Sequence, residues 1–385
     1  MRLKDICTVF TDGDWIESKD QSDEGIRLIQ TGNIGEGVYL EKEARAKYIS
    51  EDTFEKLKCT EIYPGDILVS RLPEPVGRAC IVPQKEGRMI TAVDCTICRP
   101  DESIVSKEYL CYFMRSNSYY MKLLGNVTGT TRKRISRKNL ENVKLDVPSK
   151  ENQKEVVKQL DCLSKVIDLR NKELQLFDNL IKARFVELFG DPRSNPFGFE
   201  KKMLKDTCKV ITGNTPSRAI AEYYGDYIEW IKTDNIVSGI LNPTQATESL
   251  SEKGMNVGRT VEKDSILMAC IAGSIASIGR VCITDRTVAF NQQINAVVPE
   301  QYNILFLYVL LQMSKDYLVE DINMALKGIL SKSKLEEKEF IIPPMDLQEQ
   351  FSDFVKQVDK SKVAVQKALD ETQMLFDSLM QKYFA

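Results

Sequence analysis

Between Arg132 and Lys138 the chain reads RKRISRK, five basic residues in seven positions with no acid. That pattern suits an anionic partner. Lysine and arginine neutralise phosphates, and a planar guanidinium can also lie bidentate on O6 and N7 of guanine. Arg132, Lys133, Arg134, Arg137 and Lys138 are therefore candidate nucleic-acid contacts, one arginine reading a base while its neighbours fix the backbone. A weaker set, Lys327, Lys332 and Lys334, stands late in the chain. Asn291, Gln292 and Gln293 form a polar triplet between apolar runs, and a side-chain amide pairs bidentately with N6 and N7 of adenine. A capped turn accounts for the triplet equally well. Thr31, Asn33, Thr233 and Asn235, in the strings TGN and TDN, are lesser candidates because such strings also suit Asx-type turns. Arg71 and Lys232 complete the set.

Other chemistry finds little support. The chain of 385 residues contains no histidine, which removes the usual general base near neutral pH and most catalytic zinc sites. Cys95 and Cys98 form a lone CxxC with no second pair to complete a four-ligand zinc site. The string nearest an adenine-methyltransferase motif, Asn195-Pro196-Phe197-Gly198, lacks the second proline, and Pro100-Asp101 is not followed by the acids and lysine of a metal-dependent nuclease. The glycines of GNIGEG read as turn glycines. Ten scattered cysteines, an N-terminus without a signal-peptide core and a longest apolar run of only Ile304 to Leu311 point to a cytoplasmic protein with reduced thiols and no membrane span. Net charge is −3 with a pI near 5.5, so nucleic-acid binding must rest on local charge.

The elements that must position these residues occur twice. LKDICTVFT at Leu3 to Thr11 recurs as LKDTCKVIT at Leu204 to Thr212, and IRLIQTGNIGEG at Ile26 as IEWIKTDNIVSG at Ile228. GRACI at Gly77 matches GRVCI at Gly279, and ISRKNLENVKLDVP at Ile135 resembles LSKSKLEEKEFIIP at Leu330. Four matches in the same order indicate two copies of one domain. Each copy begins with short β-branched runs broken by Gly, Asn and Pro, predicting a mixed, mainly β domain, with one helical segment around 107–124 or 302–319.

After Pro148 the apolar residues Val156, Leu160, Leu163, Ile167, Leu174, Phe177, Ile181 and Leu188 follow heptad steps, with Arg170 and Arg184 also on the seam. After Pro344 the steps return at Phe351, Val355, Val358, Val365, Leu369, Phe376, Leu379 and Tyr383, interrupted by Lys362 and Thr372. Each run predicts a helix of about 39 residues, roughly 58 Å at 1.5 Å per residue. The matching ends LFDNLIKARF and LFDSLMQKYF make the helices repeats as well. The expected fold is α+β: two mixed, mainly β domains related by a pseudo-two-fold axis, and two long antiparallel helices forming a coiled coil. The expected bounds are 1–149 and 191–346 for the domains, 150–190 and 347–385 for the helices.

This alternation of head and long helix resembles the specificity (S) subunit of type I restriction-modification enzymes. The carriers are the LKD start, the IxxIxTxNI segment, GDILVS at Gly65, NQQINAVVP at Asn291, RFVELFGDP at Arg184, and the proline with glutamine that opens each helix, Pro148 with Gln153 and Pro343 with Gln348. The resemblance implies that each head is a target recognition domain reading one half of a bipartite, asymmetric site in double-stranded DNA. It implies that the helices space the heads and bind two methyltransferase (M) subunits, and that restriction (R) subunits join through the complex. No catalysis and no cofactor are then expected in this chain, S-adenosylmethionine belonging to the M subunits and ATP with Mg to the R subunit. In relatives the loop before the first long helix often reads Gly-Ser-Thr-Gln; here Gly129-Thr130-Thr131-Arg132 and Met324-Ala325-Leu326-Lys327 depart from it. The alternative reading is a coiled-coil scaffold whose heads bind protein.

Overall fold

The computed structural model describes residues 1–129, 133–320, 322 and 328–385. The chain divides into two compact units, 1–170 with 368–385, and 171–367. The division falls inside the long helices. Each unit therefore holds one head, the start of the helix that follows it and the end of the other helix.

In the first unit, strands Cys7–Asp12, Cys95–Pro100, Ile67–Ser70 and Ala79–Ile81 form an antiparallel sheet in that spatial order. The side-chain period of two splits this sheet between two cores. Ile67, Val69 and Cys98 face helices Lys107–Phe113 and Asn117–Leu124, burying against Tyr109, Leu110 and Phe113. Leu68, Cys95 and Ile97 face the other way, toward Ile29, Ile62 and Met89 of a second, four-stranded sheet. In that sheet Ile26–Ile29 runs parallel to Met89–Thr91, with Tyr48–Ile49 and Glu61–Ile62 antiparallel at the edges. Covered on both faces, Ile67–Ser70 is buried throughout. Cys95 and Cys98 consequently face different layers, and among the described residues no group of three potential ligands could hold a metal.

The second unit repeats the plan. Cys208–Thr212, Ile294–Pro299, Ile266–Ala269 and Val281–Ile283 stand in the corresponding order, Ile266 and Met268 facing the helical layer while Leu267 and Ala269 face the second sheet. Here the second sheet has five strands, again with one parallel pair, Ile228–Ile231 beside Val288–Phe290. The expected architecture of two mixed, mainly β heads and two long helices is thus present.

The long helices span Lys150–Phe189 and Met345–Phe384. In the first unit Tyr383 Oη donates to Gln159 Oε1 at 2.7 Å, while Arg170 donates to the Ala368 carbonyl and the Thr372 hydroxyl. In the second, Lys362 Nζ meets Asp178 Oδ1 at 2.7 Å and the Phe185 ring meets Phe351 at 5.6 Å. Numbers rise along one helix as they fall along the other, so within each unit the pairing is antiparallel. Of the seam, Val156, Leu160, Ile181, Phe351, Val355, Val358 and Phe376 are buried, and Leu163, Ile167, Phe177, Leu188, Leu379 and Tyr383 pack partly against the cores. Leu174, Val365 and Leu369 are half-buried and belong to neither core, beside the polar positions Arg170, Lys362 and Thr372. The heptad pattern did not single out Phe185, Phe189 and Phe384, which the helix ends drive into the heads: Phe189 packs edge-on to Phe306 at 4.8 Å, and Phe384 lies 5.2 Å from Tyr109. Each such ring contributes about 3 to 5 kcal/mol by the cost of its removal. Among the described residues no helix is long and apolar enough to cross a membrane.

Candidate nucleic-acid interface

Backbone bonds bring four sequence-distant segments of the first head to one place. Gly13 N donates to the Cys95 carbonyl at 2.9 Å, Asp14 N to Thr91 at 2.8 Å, Arg71 N to Asp94 at 2.9 Å and Ile135 N to Arg71 at 3.2 Å. A Cβ at position 13 would lie 2.3 Å from the Thr91 carbonyl oxygen, so this close approach requires glycine. The second head has the same bonds, Gly213 to Ile294, Asn214 to Phe290, Cys270 to Gln293 and Leu330 to Cys270, and the same crowding at Gly213.

On this frame the first head carries an ionic cluster. Asp12, at the end of its strand, accepts from Thr96 Oγ1 at 3.0 Å and faces Arg71 Nη2 at 3.3 Å and Arg137 Nη1 at 4.0 Å. Arg71 is 5% exposed and also donates to the Val93 carbonyl at 2.6 Å. Burial draws its guanidinium below the usual arginine value, Asp12 and Asp94 pulling up and Arg134 down. Its Nε is buried without a partner among the described residues, an unmade bond that costs about 1 to 3 kcal/mol. Arg134 pairs with Asp94 at 3.0 Å from a short strand, Arg134–Ile135. Arg137 opens a turn of helix whose N-cap, Ser136, accepts from Asn139 N at 3.1 Å. Lys133 and Lys138 are exposed; Arg132 lies outside the described residues. The structure thus joins Arg71 to Arg134 and Arg137 through two acids absent from the sequence-based candidates.

The equivalent positions in the second head are chemically different. Thr212 stands for Asp12 and donates to Asn295 Oδ1 at 2.8 Å; Cys270 stands for Arg71, Gln293 for Asp94, Ile329 for Arg134 and Lys332 for Arg137. Lys332 is exposed and pairs with Glu336 at 3.4 Å, and Lys334 is exposed on the same turn of helix. Lys327 lies outside the described residues. In the amide triplet, buried Asn291 accepts from Gln293 N at 3.0 Å and donates to Gln293 Oε1 at 3.3 Å. Gln292 is the exposed member and accepts from the Thr215 hydroxyl.

The TGN and TDN strings are loop staples in both heads. Buried Asn33 accepts from Gln30 N at 3.1 Å and donates to the Leu40 carbonyl at 3.0 Å; Asn235 accepts from Lys232 N at 3.0 Å and donates to Gln245 at 3.1 Å. Thr31 and Thr233 are half-buried, and their carbonyls accept from Arg78 at 2.9 Å and Arg280 at 3.1 Å. Lys232 is held by Glu248 and lies 5.1 Å over the Trp230 ring. Arg78 and Arg280 were not foreseen, although the repeated GR of GRACI and GRVCI carries them.

Residues 1–176 and 196–372 match the family model described as type I restriction modification DNA specificity domain. The chain is 24% identical over 326 residues to the type I restriction enzyme HindI specificity subunit of Haemophilus influenzae, covering 65% of this chain and 70% of that protein. It is 24% identical over 308 residues to the type I restriction enzyme MjaIX specificity subunit of Methanocaldococcus jannaschii, covering 74% of this chain and 69% of that one. The fold is shared with a chain from a structural study of type I R-M assembly and conformational transition, with TM-score 0.59, 17% identity and coverage of 100% and 96%. It is also shared with the type I restriction-modification S subunit from M. genitalium, with TM-score 0.56, 14% identity and coverage of 100% and 95%.

Proposed function

The chain belongs to the type I restriction modification DNA specificity family, and on that premise we propose that it is the sequence-reading subunit of a methyltransferase and endonuclease complex. Each head reads one half of a bipartite, asymmetric duplex site. The long helices set the spacing between the halves and seat two M subunits, through which R subunits join. The observation that carries this reading is one backbone frame, built twice, that presents different side chains at the same place: a single chain with two such frames reads two unlike half-sites. Catalysis belongs to the partners, with S-adenosylmethionine on the M subunits and ATP with Mg on the R subunits.

Binding of labelled duplex by this chain with and without its M subunits tests the proposal. The acidic chain alone binds weakly, because it offers little long-range attraction to DNA. The complex binds one split sequence tightly, with an affinity that falls as salt rises. A complex with no sequence preference contradicts the reading and favours a protein-binding scaffold.

A further inference from the structure

We propose that Arg134 and Arg137 read guanine edges in the major groove of the first half-site, Arg134 held in its reading pose by Asp94 and Arg137 drawn toward Asp12, both acids being rooted in the sheet frame. The inference rests on the functional reading above and deepens it. The layering comes first. The side chains of Arg134 and Arg137 are 46% and 47% exposed, those of Asp94 and Asp12 only 29% and 22%, so the arginines form the outer layer. Arg134 Nη2 stands 3.0 Å from Asp94 Oδ1 and Arg137 Nη1 4.0 Å from Asp12 Oδ2, and with five N–H donors on each half-exposed guanidinium, donors are available to a ligand.

The acids decide which ligand. A phosphate clamp gains from uncompensated positive charge, and a carboxylate beneath it repels the phosphate. The O6 and N7 acceptors of guanine carry no formal charge and do not suffer that repulsion, while they require the oriented, paired donors that an anchored guanidinium supplies. Anchoring also removes rotamer freedom before binding, which lowers the ordering cost at contact. Lys133 and Lys138, exposed and without an ion pair among the described residues, suit the neighbouring phosphates.

Arg71 is a positioning residue. Buried beneath the arginines, it ties the Asp12 carboxylate to the Val93 carbonyl, next to Asp94, and so fixes both acids at once. The second head places Thr212, Cys270, Gln293, Ile329 and Lys332 at these positions and cannot form this arrangement. Guanine reading by anchored arginines is therefore confined to one half-site.

The test uses the full chain bound to its M subunits and duplexes carrying the methylated motif, with each guanine replaced in turn by 7-deazaguanine, which lacks the N7 acceptor. In one half-site the replacement weakens wild-type binding roughly 5- to 150-fold. R134A or R137A loses a similar factor on the unmodified duplex and nothing further on the matching deaza duplex. R134K and R137K do not restore discrimination, since an ammonium lacks the bidentate fork. D94N shrinks the 7-deazaguanine penalty in that half-site, a change that removal of one negative charge alone, which raises affinity for every duplex alike, would not produce. An equal loss on every sequence, with the deaza penalties intact in the variants, overturns the proposal in favour of phosphate clamps. No loss in either variant also overturns it. A wild-type complex without sequence preference contradicts the family-level reading instead, and is detected before any variant is made.

Discussion

Gly13 and Gly213 donate to their partner strands at 2.9 and 3.0 Å, Ser136 and Ser331 cap equivalent turns of helix, and Asn33 and Asn235 staple equivalent loops. Around that agreement, Asp12, Arg71, Asp94 and Arg134 of the first head stand where the second has Thr212, Cys270, Gln293 and Ile329. The difference teaches where each constraint acts. Backbone bonds and the two apolar layers determine the frame, while side chains at the strand ends satisfy only local electrostatics and can change without refolding the head. An ionic cluster needs internal compensation, which Asp12 and Asp94 supply; the uncharged set needs only ordinary hydrogen bonds.

The comparison breaks first, and most visibly, at the loop pins. Buried Arg78 donates to the carbonyls of Ile34, Leu72, Pro75 and Thr31, at distances from 2.7 to 3.2 Å, whereas half-buried Arg280 reaches Thr233 at 3.1 Å and Ser277 at 3.2 Å. R78A should cost about 3 to 5 kcal/mol, because it leaves buried carbonyls unpaired, and R280A about 1 to 2 kcal/mol. Thermal unfolding of both variants measures this; equal losses would show that the heads use the pin alike. Gln153 and Gln348 are the symmetric control. Fully buried at the start of each long helix, they accept from Ser106 N and Asn303 N, both at 2.9 Å, and donate to the Pro148 and Pro343 carbonyls. Q153A and Q348A should each cost about 2 kcal/mol. Hydrogen exchange should place the first loss in the first unit and the second loss in the second unit.

The helices and the duplication were legible because heptad steps and repeated strings are local patterns. The RKRISRK run was legible from charge density alone. Asp12 and Asp94 were not, because their roles exist only once strands Cys7–Asp12, Ile67–Ser70 and Cys95–Pro100 lie side by side, and Arg78 and Arg280 were not, because theirs exist only once the loops at Thr31 and Thr233 fold against them. Arg71, a candidate by sequence, sits at a buried strand end that turns its side chain inward to Asp12, a placement that only the assembled sheet determines. Phe185, Phe189 and Phe384 escaped for a related reason. A heptad names the residues that face another helix, whereas Phe384 faces a head and Phe185 and Phe189 meet Phe306 of a head as well as Phe351 of the other helix.

Smaller effects sharpen the contrast. K332A and K334A should weaken binding nearly uniformly across sequences and reduce the salt slope by about 1 each, the signature of phosphate contacts, in titrations of the assembled complex. A changed half-site in either variant would show that the second head also reads through its lysines. The smallest change is chemical. Burial pushes the thiols of Cys80, Cys95 and Cys270 up to about 12, whereas Cys162 is exposed on the first long helix. Maleimide at neutral pH should label Cys162 first in the isolated chain, read by mass spectrometry, and fast labelling of a head cysteine would reveal local opening that the frame does not predict.

The most direct measurement of the central claim, that one frame reads a different half-site in each head, is methylome sequencing of cells carrying the complex with R137A or with Q292A. R137A should relax the half-site read by the first head, and Q292A, altering the exposed amide of the second head's turn, should change only the other. Relaxation of the same half-site by both variants, or an unchanged motif in both, would contradict the account.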